Sequence, residues 1–242
     1  LNVSGGIRAE YFNVDTAQTN GYILMLQQKG KLPFQPVARL GLNYELAEFT
    51  FLRASIGQGY RFPTVAEKYI STSVSALNIY PNQSLQPELG FSGEFGIKQG
   101  IKIAGFKGFI DASAFYNKFK NNVEFVFDIY KPAGTGTLSL DQVTKYAGFK
   151  SQNVNTAQVL GAEFSIGGTG KIYGINATLL AGYTYMQPTY ANYNPLIDTL
   201  GLANNNYLKY RQKHLAKTDI QLEYKWFALG YSTRFQSKTL NI

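Results

Sequence analysis

Apolar and polar residues alternate with period two along most of this chain. From Phe49, the run FTFLRASIGQGYRF puts Thr50, Leu52, Ala54, Ile56, Tyr60 and Phe62 on one side. Arg53, Ser55, Gly57, Gly59 and Arg61 fall on the other. Side chains on a strand point to opposite faces in turn, so this run predicts a strand with one greasy and one polar face. The same logic predicts nine long strands. They are Leu1–Val14, Val37–Leu46, Phe49–Phe62, Leu89–Lys98, one from about Phe109, one ending in VLGAEFSI at Ile166, one from Ile175, His214–Trp226 and Phe227–Gln236. Short turns are expected near Ala47–Glu48, Gln99–Gly105, Gly167–Gly174 and Lys225–Phe227. Long polar loops are expected at about Asp15–Pro36, Thr64–Pro87, Asp128–Tyr146 and Gln187–Arg211.

In a meander, alternate connections lie at the same end. One rim therefore has tight turns and the other has loops of roughly 17–25 residues, longer than compact domains usually carry. That asymmetry predicts an all-β, antiparallel up-and-down transmembrane barrel. The face chemistry agrees. Arg39, Glu45, Arg53, Glu94, Asp111, Glu163, Asp219 and Glu223 stand in mid-strand on the polar face. The other face mixes Leu and Ile with many Ala and ends in Tyr, Trp or Phe, as a lipid belt with aromatic girdles would. A soluble sandwich rests on the same alternation, but its inner face would hold large residues throughout.

Composition narrows the choice. Among 242 residues there are 18 Tyr, 17 Phe and 24 Gly but one Trp, two Met and one His, which favours sheet and tight turns over helix. There is no Cys, so neither a disulfide framework nor a thiolate metal site is available. The net charge is +8, but Lys and Arg are scattered over strands and loops, which argues against a nucleic-acid partner. No apolar run approaches the ~20 residues of a membrane helix, which leaves barrel strands open. No signal peptide is visible, and the chain reads as a piece of something longer.

Four stretches in order resemble the C-terminal half of the barrel of TonB-dependent outer-membrane receptors, in a Bacteroidetes-like form. RASIGQGYRFPTVAEKY (Arg53–Tyr69) is similar to the family's Ser-x-Gly-x-Gly-Arg/Tyr-Arg-x-Pro strand. YPNQSLQPELGFSGEFGIK (Tyr80–Lys98) resembles its Asn-Pro-Asn-Leu-x-Pro-Glu return. NVNTAQVLGAEFSI (Asn153–Ile166) and YRQKHLAK (Tyr210–Lys217) are similar to two further strand entries. The resemblance implies a 22-stranded barrel filled by a plug, of which residues 1–242 would form about nine strands. The plug and terminal strands would lie outside this chain. It implies an active-transport receptor, not an enzyme, with no cofactor. Its partners would be outer-membrane lipid, the TonB-ExbB-ExbD energy-coupling complex acting through the plug, a surface lipoprotein lid, and a small solute: siderophore, corrinoid, glycan or peptide. A passive porin or adhesin barrel and a soluble sugar-binding β-protein are the rival readings.

Candidate residues follow from these faces and loops. Arg39, Arg53, Gly57, Gly59, Arg61, Glu94, Glu163, Lys217 and Asp219 are expected to face the lumen and plug. Tyr130, Tyr190, Tyr193, Asn194 and Tyr207, in long loops rich in aromatics and amides, are expected to contact solute, because long loops on rigid scaffolds commonly carry binding function. Gly57-Gln58-Gly59 is not a phosphate loop, since no helix follows it. Glu88 and Glu163 lie on different strands and read as structural carboxylates rather than a catalytic pair. His214 is the only His, so a multi-His metal site is excluded. Haem receptors of the family carry a ligand His between the first two motifs, and Thr64–Tyr80 contains none. His214 is expected at the barrel rim.

Overall fold

A computed structural model describes residues 1–10, 34–74, 77–131, 134, 136–154, 156–191, 206–208 and 210–240. Nine long strands form one antiparallel sheet. They are β1 (Asn2–Glu10), β2 (Gln35–Ala47), β3 (Thr50–Arg61), β6 (Glu88–Ile103), β7 (Phe106–Lys120), β10 (Ala157–Ile172), β11 (Ile175–Tyr190), β12 (His214–Tyr224) and β13 (Phe227–Gln236). Spatial order follows chain order, β1-β2-β3-β6-β7-β10-β11-β12-β13, and β1 and β13 end the sheet unpaired with one another. The sheet is an open segment of a barrel.

Register brings the apolar positions into rows. Val3, Leu42, Ala54, Phe95, Ala114, Ala162, Tyr185 and His214 are successive partners across eight strands. The next row, Asn43, Arg53, Gly96, Ser113, Glu163 and Thr184, carries the charges. The apolar face is bare: Phe95 is 59 % exposed, Leu160 55 % and Leu229 53 %. Among the described residues the buried hydrophobics are only Val37, Leu85, Ala157 and Leu208. The accessible surface is 16961 Å². A compact globular chain of this mass would expose about 10,800 Å². A face this apolar and this open fits lipid rather than water. Aromatics mark its turn-end edge, with Tyr173 100 % and Trp226 92 % exposed.

The turns are tighter than the sequence predicts. β6 and β7 meet at Ala104–Gly105, and β10 and β11 at Tyr173–Gly174, with both residues of each pair at positive φ. Two-residue loops of this kind match the twist of the flanking strands. Gln99–Ile103 and Gly167–Ile172, expected as turn, are strand. Their glycines read as loop, but the sheet uses them for close approach. A Cβ at Gly108 would lie 2.3 Å from the Gly167 carbonyl, and one at Gly168 would lie 2.6 Å from that of Lys107.

The long connections contain structure that alternation did not foresee. The loop after β3 holds a short helix α1 (Val65–Tyr69) and strands β4 (Thr72–Val74) and β5 (Leu77–Tyr80). Beyond β7 the chain continues as β8 (Val123–Ile129), helix α2 (Leu140–Tyr146) and β9 (Ala147–Asn153). These strands make a second sheet in the order β4-β5-β9-β8, with β5 parallel to β9. The expected long polar loops at Thr64–Pro87 and Asp128–Tyr146 thus contribute to a cap, a second sheet at one end of the barrel sheet. Of the first expected strand, Asn2–Glu10 is present and the remainder lies outside the described residues, as do most of Asp15–Pro36 and residues 192–205.

Candidate functional site

The cap is held by residues of three sequence motifs that meet at the rim. Arg61, the last residue of β3, donates from Nε to Glu88 (2.5 Å) and from Nη1 to Glu67 (3.0 Å). Glu88 also accepts from the Val123 backbone N–H at 2.6 Å, so one carboxylate joins β3, β6 and the start of β8. Thr64 caps α1: its hydroxyl accepts from the Glu67 N–H, and the Glu67 carboxylate accepts from the Thr64 N–H at 2.7 Å. This reciprocal pair is a capping box. Asn82 donates to the Ser151 carbonyl at 2.8 Å. Gln86 N–H donates to Asn153 Oδ1, and Asn153 Nδ2 returns bonds to the carbonyls of Gln86 and Asn121. Leu85, between Asn82 and Gln86 in the chain, is 2 % exposed, and Lys68 donates to its carbonyl. The Tyr80–Glu88 motif is therefore a clasp that ties the β3–β6 loop to the β8–β9 hairpin.

Electrostatics at the clasp follow from its geometry. Burial pushes the Glu67 carboxyl up, but bonds from the Thr64 backbone N–H and the Arg61 guanidinium outweigh it, and the net is a pKa below its ordinary 4.5. A depressed carboxyl stabilises the fold fully above its unfolded pKa and loses that contribution as pH falls through the folded value. Cap protection in hydrogen exchange should thus weaken as pH is lowered below about 4.5, and Glu67→Gln should remove this dependence. A pH profile identical in the variant would refute the assignment.

The inner face carries a second network. Arg53 Nε donates to Glu94 at 3.0 Å, and its two terminal nitrogens hold Asp111 in a bidentate pair, Nη2 at 2.8 Å. The fork geometry matches a carboxylate and fixes the side chain across three strands. Gly96 makes room: a Cβ there would lie 3.1 Å from Arg53 Nε. Lys217 pairs with Asp219 at 3.0 Å, and Asp219 accepts from Ser232 at 2.5 Å. Glu163 accepts from Thr184 at 3.4 Å. Arg53, Asp111, Glu163, Lys217 and Arg234 border one recess of about 610 Å³. A second recess, about 620 Å³, is lined by Arg39, Gly57 and Gly59. Arg39 lies over Gly57, where a Cβ would meet its Cγ at 3.3 Å; a Cβ at Gly59 would meet nothing within 4 Å. Arg39, Arg53, Gly57, Gly59, Glu94, Glu163, Lys217 and Asp219 share the polar face of the sheet, and Arg61 ends β3 at its rim.

The loop aromatics are partly committed to structure. The Tyr130 hydroxyl donates to the Val126 carbonyl and accepts from Gln152, and its ring packs on Tyr80 at 5.1 Å. Burial pushes its phenol above the ordinary value of 10.0. Tyr190 donates to Glu124 at 2.7 Å, which ties β11 to β8. Lys213 lies over the Tyr207 ring at 4.1 Å and donates to its hydroxyl. Tyr193 and Asn194 lie outside the described residues. Glu67, Asn82 and Asn153 were not singled out from sequence, although all three sit within the motifs, and Asp111 was read as a polar-face charge with no partner assigned. His214 opens β12 in register with Tyr185, and its Nδ1 bonds the Tyr183 hydroxyl at 2.7 Å. It therefore belongs to the outward, aromatic edge and not to the inner face. No group of three or more His, Asp or Glu suited to a metal ion occurs among the described residues.

Comparison with known proteins agrees with this architecture. Residues 1–241 match the family model described as TonB dependent receptor-like, beta-barrel. A Haemophilus influenzae hemoglobin and hemoglobin-haptoglobin-binding protein B is 26 % identical over 128 residues, 52 % of this chain and 11 % of that protein. The hemophore receptor HasR of Serratia marcescens, solved with its hemophore HasA and heme, superposes with TM-score 0.61 at 16 % identity. It covers 98 % of this chain, which spans 39 % of HasR. The siderophore receptor PirA of Pseudomonas aeruginosa gives TM-score 0.58 at 13 % identity, over 86 % of this chain and 35 % of PirA. The copper transporter OprC gives 0.55 at 17 %, over 84 % of this chain and 27 % of OprC. These names describe binding proteins, receptors and a transporter rather than enzymes. The chain belongs to the TonB-dependent receptor family, as part of its β-barrel.

Proposed function

We propose that the protein containing this chain is an outer-membrane receptor that captures a scarce solute at its long-loop end and imports it with TonB-coupled energy. The observation that carries the reading is the ordered cap. A passive pore has no need of a second sheet fixed at its long-loop end by a motif-built clasp. The cap presents a fixed surface, as positioned binding loops on a rigid scaffold do. The plug and further strands would come from the rest of a longer protein, and the charged inner face around Arg53, Glu163 and Lys217 would meet that plug.

The solute is proposed as a siderophore, corrinoid, glycan or peptide, with a surface lipoprotein lid a fitting partner for the last two. The similar solved structures are named for a hemophore with heme, a siderophore and copper. For haem, this chain offers no inward His, because its one His is on the outward edge. Tyr130, Tyr190, Tyr193, Asn194 and Tyr207 are the proposed solute contacts, with Tyr193 and Asn194 in the segment that follows β11. Deleting residues 192–205 should abolish or sharply weaken solute binding by intact cells while heat-modifiable migration of the folded barrel persists, since hairpin tips tolerate change better than paired strands. Normal binding after the deletion would place the site elsewhere. In the same cells, dissipating the proton gradient should stop import and leave surface binding; continued import would favour a passive porin.

A further inference from the structure

Charge is almost absent from the outward face. On each of the nine barrel strands, the positions in phase with the apolar rows are uncharged, with two exceptions among the described residues. These are Lys118 and Lys120, two steps apart on β7 and therefore on one face. The register of β7 runs unbroken against both β6 and β10, so no bulge turns them inward. Below them on the same face stand Tyr116, Ala114 and Ala112. Lys118 is in register with Phe91 on one side and Gln158 on the other. The Tyr116 hydroxyl donates to Gln158, whose amide donates to Thr189. A polar ledge thus begins at this height.

The height can be placed. β7 has 15 residues and starts at the tight turn. At ~3.4 Å per residue and a tilt of ~40°, it climbs roughly 35 Å, beyond an apolar band of ~25 Å. Lys118 and Lys120, in register with Phe91 and Leu89, then stand at headgroup height, where a long cationic side chain can keep its stem on apolar surface and its charge in water.

We propose that Lys118 and Lys120, beside Gln158, form a lipid-facing site that binds the phosphate of an anionic outer-leaflet lipid. Charge complementarity selects the occupant. Among the described residues no acidic side chain shares the outward face with these two cations, and a headgroup phosphate is the anion found at that depth. The outer-leaflet identity rests on the orientation proposed above, with the long loops outside.

The test uses the full-length receptor in non-ionic detergent, titrated with bis-phosphorylated lipid A and read by native mass spectrometry. Lys118→Gln/Lys120→Gln should bind about 30-fold more weakly, the loss expected for two lysines near a lipid surface. Lys118→Arg/Lys120→Arg should bind as the parent does. Lys102→Gln/Lys107→Gln, at the opposite end and facing inward, should leave binding intact. Heat-modifiable migration checks that each variant is folded. Equal binding by the Lys118/Lys120 glutamine pair, or equal binding of dephosphorylated lipid A, would overturn the proposal. Competition by inorganic phosphate at matching concentration would also overturn it, since the site would then take free anion. Solute capture by intact cells is scored separately and should be unchanged in the glutamine pair. Its failure in the parent would refute the transport reading without touching the lipid titration.

Discussion

Replacing Ala54 with Arg should destabilise the barrel by about 2–4 kcal/mol. Ala54 sits on the outward row between Leu42 and Phe95, with no charged neighbour on that face. It lies five residues beyond the turn residue Phe49, so at ~3.4 Å per residue and a ~40° tilt it is about 13 Å above the turn, close to the midplane of the apolar band. An Arg there has neither water nor anion within reach. The adjacent Ser55→Arg points to the inner face beside Glu94, its register partner, and should cost far less. Reversible urea unfolding of the full receptor in lipid vesicles measures both. Spin labels report the same division: Leu42, Ala54, Leu179 and Leu222 should contact lipid, and Asn43, Ser55, Thr178 and Gln221 should not. Equal behaviour of the two sets would refute the lipid–lumen assignment.

The second large effect is expected at the clasp. Leu85 is 2 % exposed and sits where the Tyr80–Glu88 segment meets β9. Leu85→Ala should remove about 2–5 kcal/mol from the cap's local stability. Asn153→Ala should act in the same direction, because it leaves the Gln86 N–H and two carbonyls without their partner. The barrel strands keep their own ladders, so the loss should be confined to the cap. Hydrogen exchange should show faster exchange in β5, β8 and β9 with β6 and β7 unchanged, and limited proteolysis should cut near α2 first. Uniform destabilisation across the barrel would show that the cap is not a separable unit. Solute binding should fall along with cap protection if the cap presents the site.

Much of this architecture is legible without coordinates, and the reason is the period-two alternation. In a barrel each side chain has one choice, lipid or lumen, so the face assignments of Leu42, Ala54, Arg53 and Glu163 can be read residue by residue. Strand order is also legible, because in a meander every neighbour in sequence is a neighbour in the sheet. The four motifs carry the family. What sequence could not decide are interactions between residues far apart in the chain. The pairing of Arg53 with Asp111, 58 positions away, depends on Gly96 leaving space between them. The reciprocal bonds of Gln86 and Asn153, 67 positions apart, arise only when two loops fold against each other. Glycine misled locally: Gly167, Gly168 and Gly170 read as turn, whereas close approach of β7 and β10 places them in strand. Composition also cannot reveal that a loop tyrosine ties β11 to β8, as Tyr190 does. Sequence alone determined the barrel, its faces and its family, because those depend on local pattern. Tertiary structure decided the cap, its clasp and the isolation of Lys118 and Lys120, because those depend on which distant residues the register brings side by side.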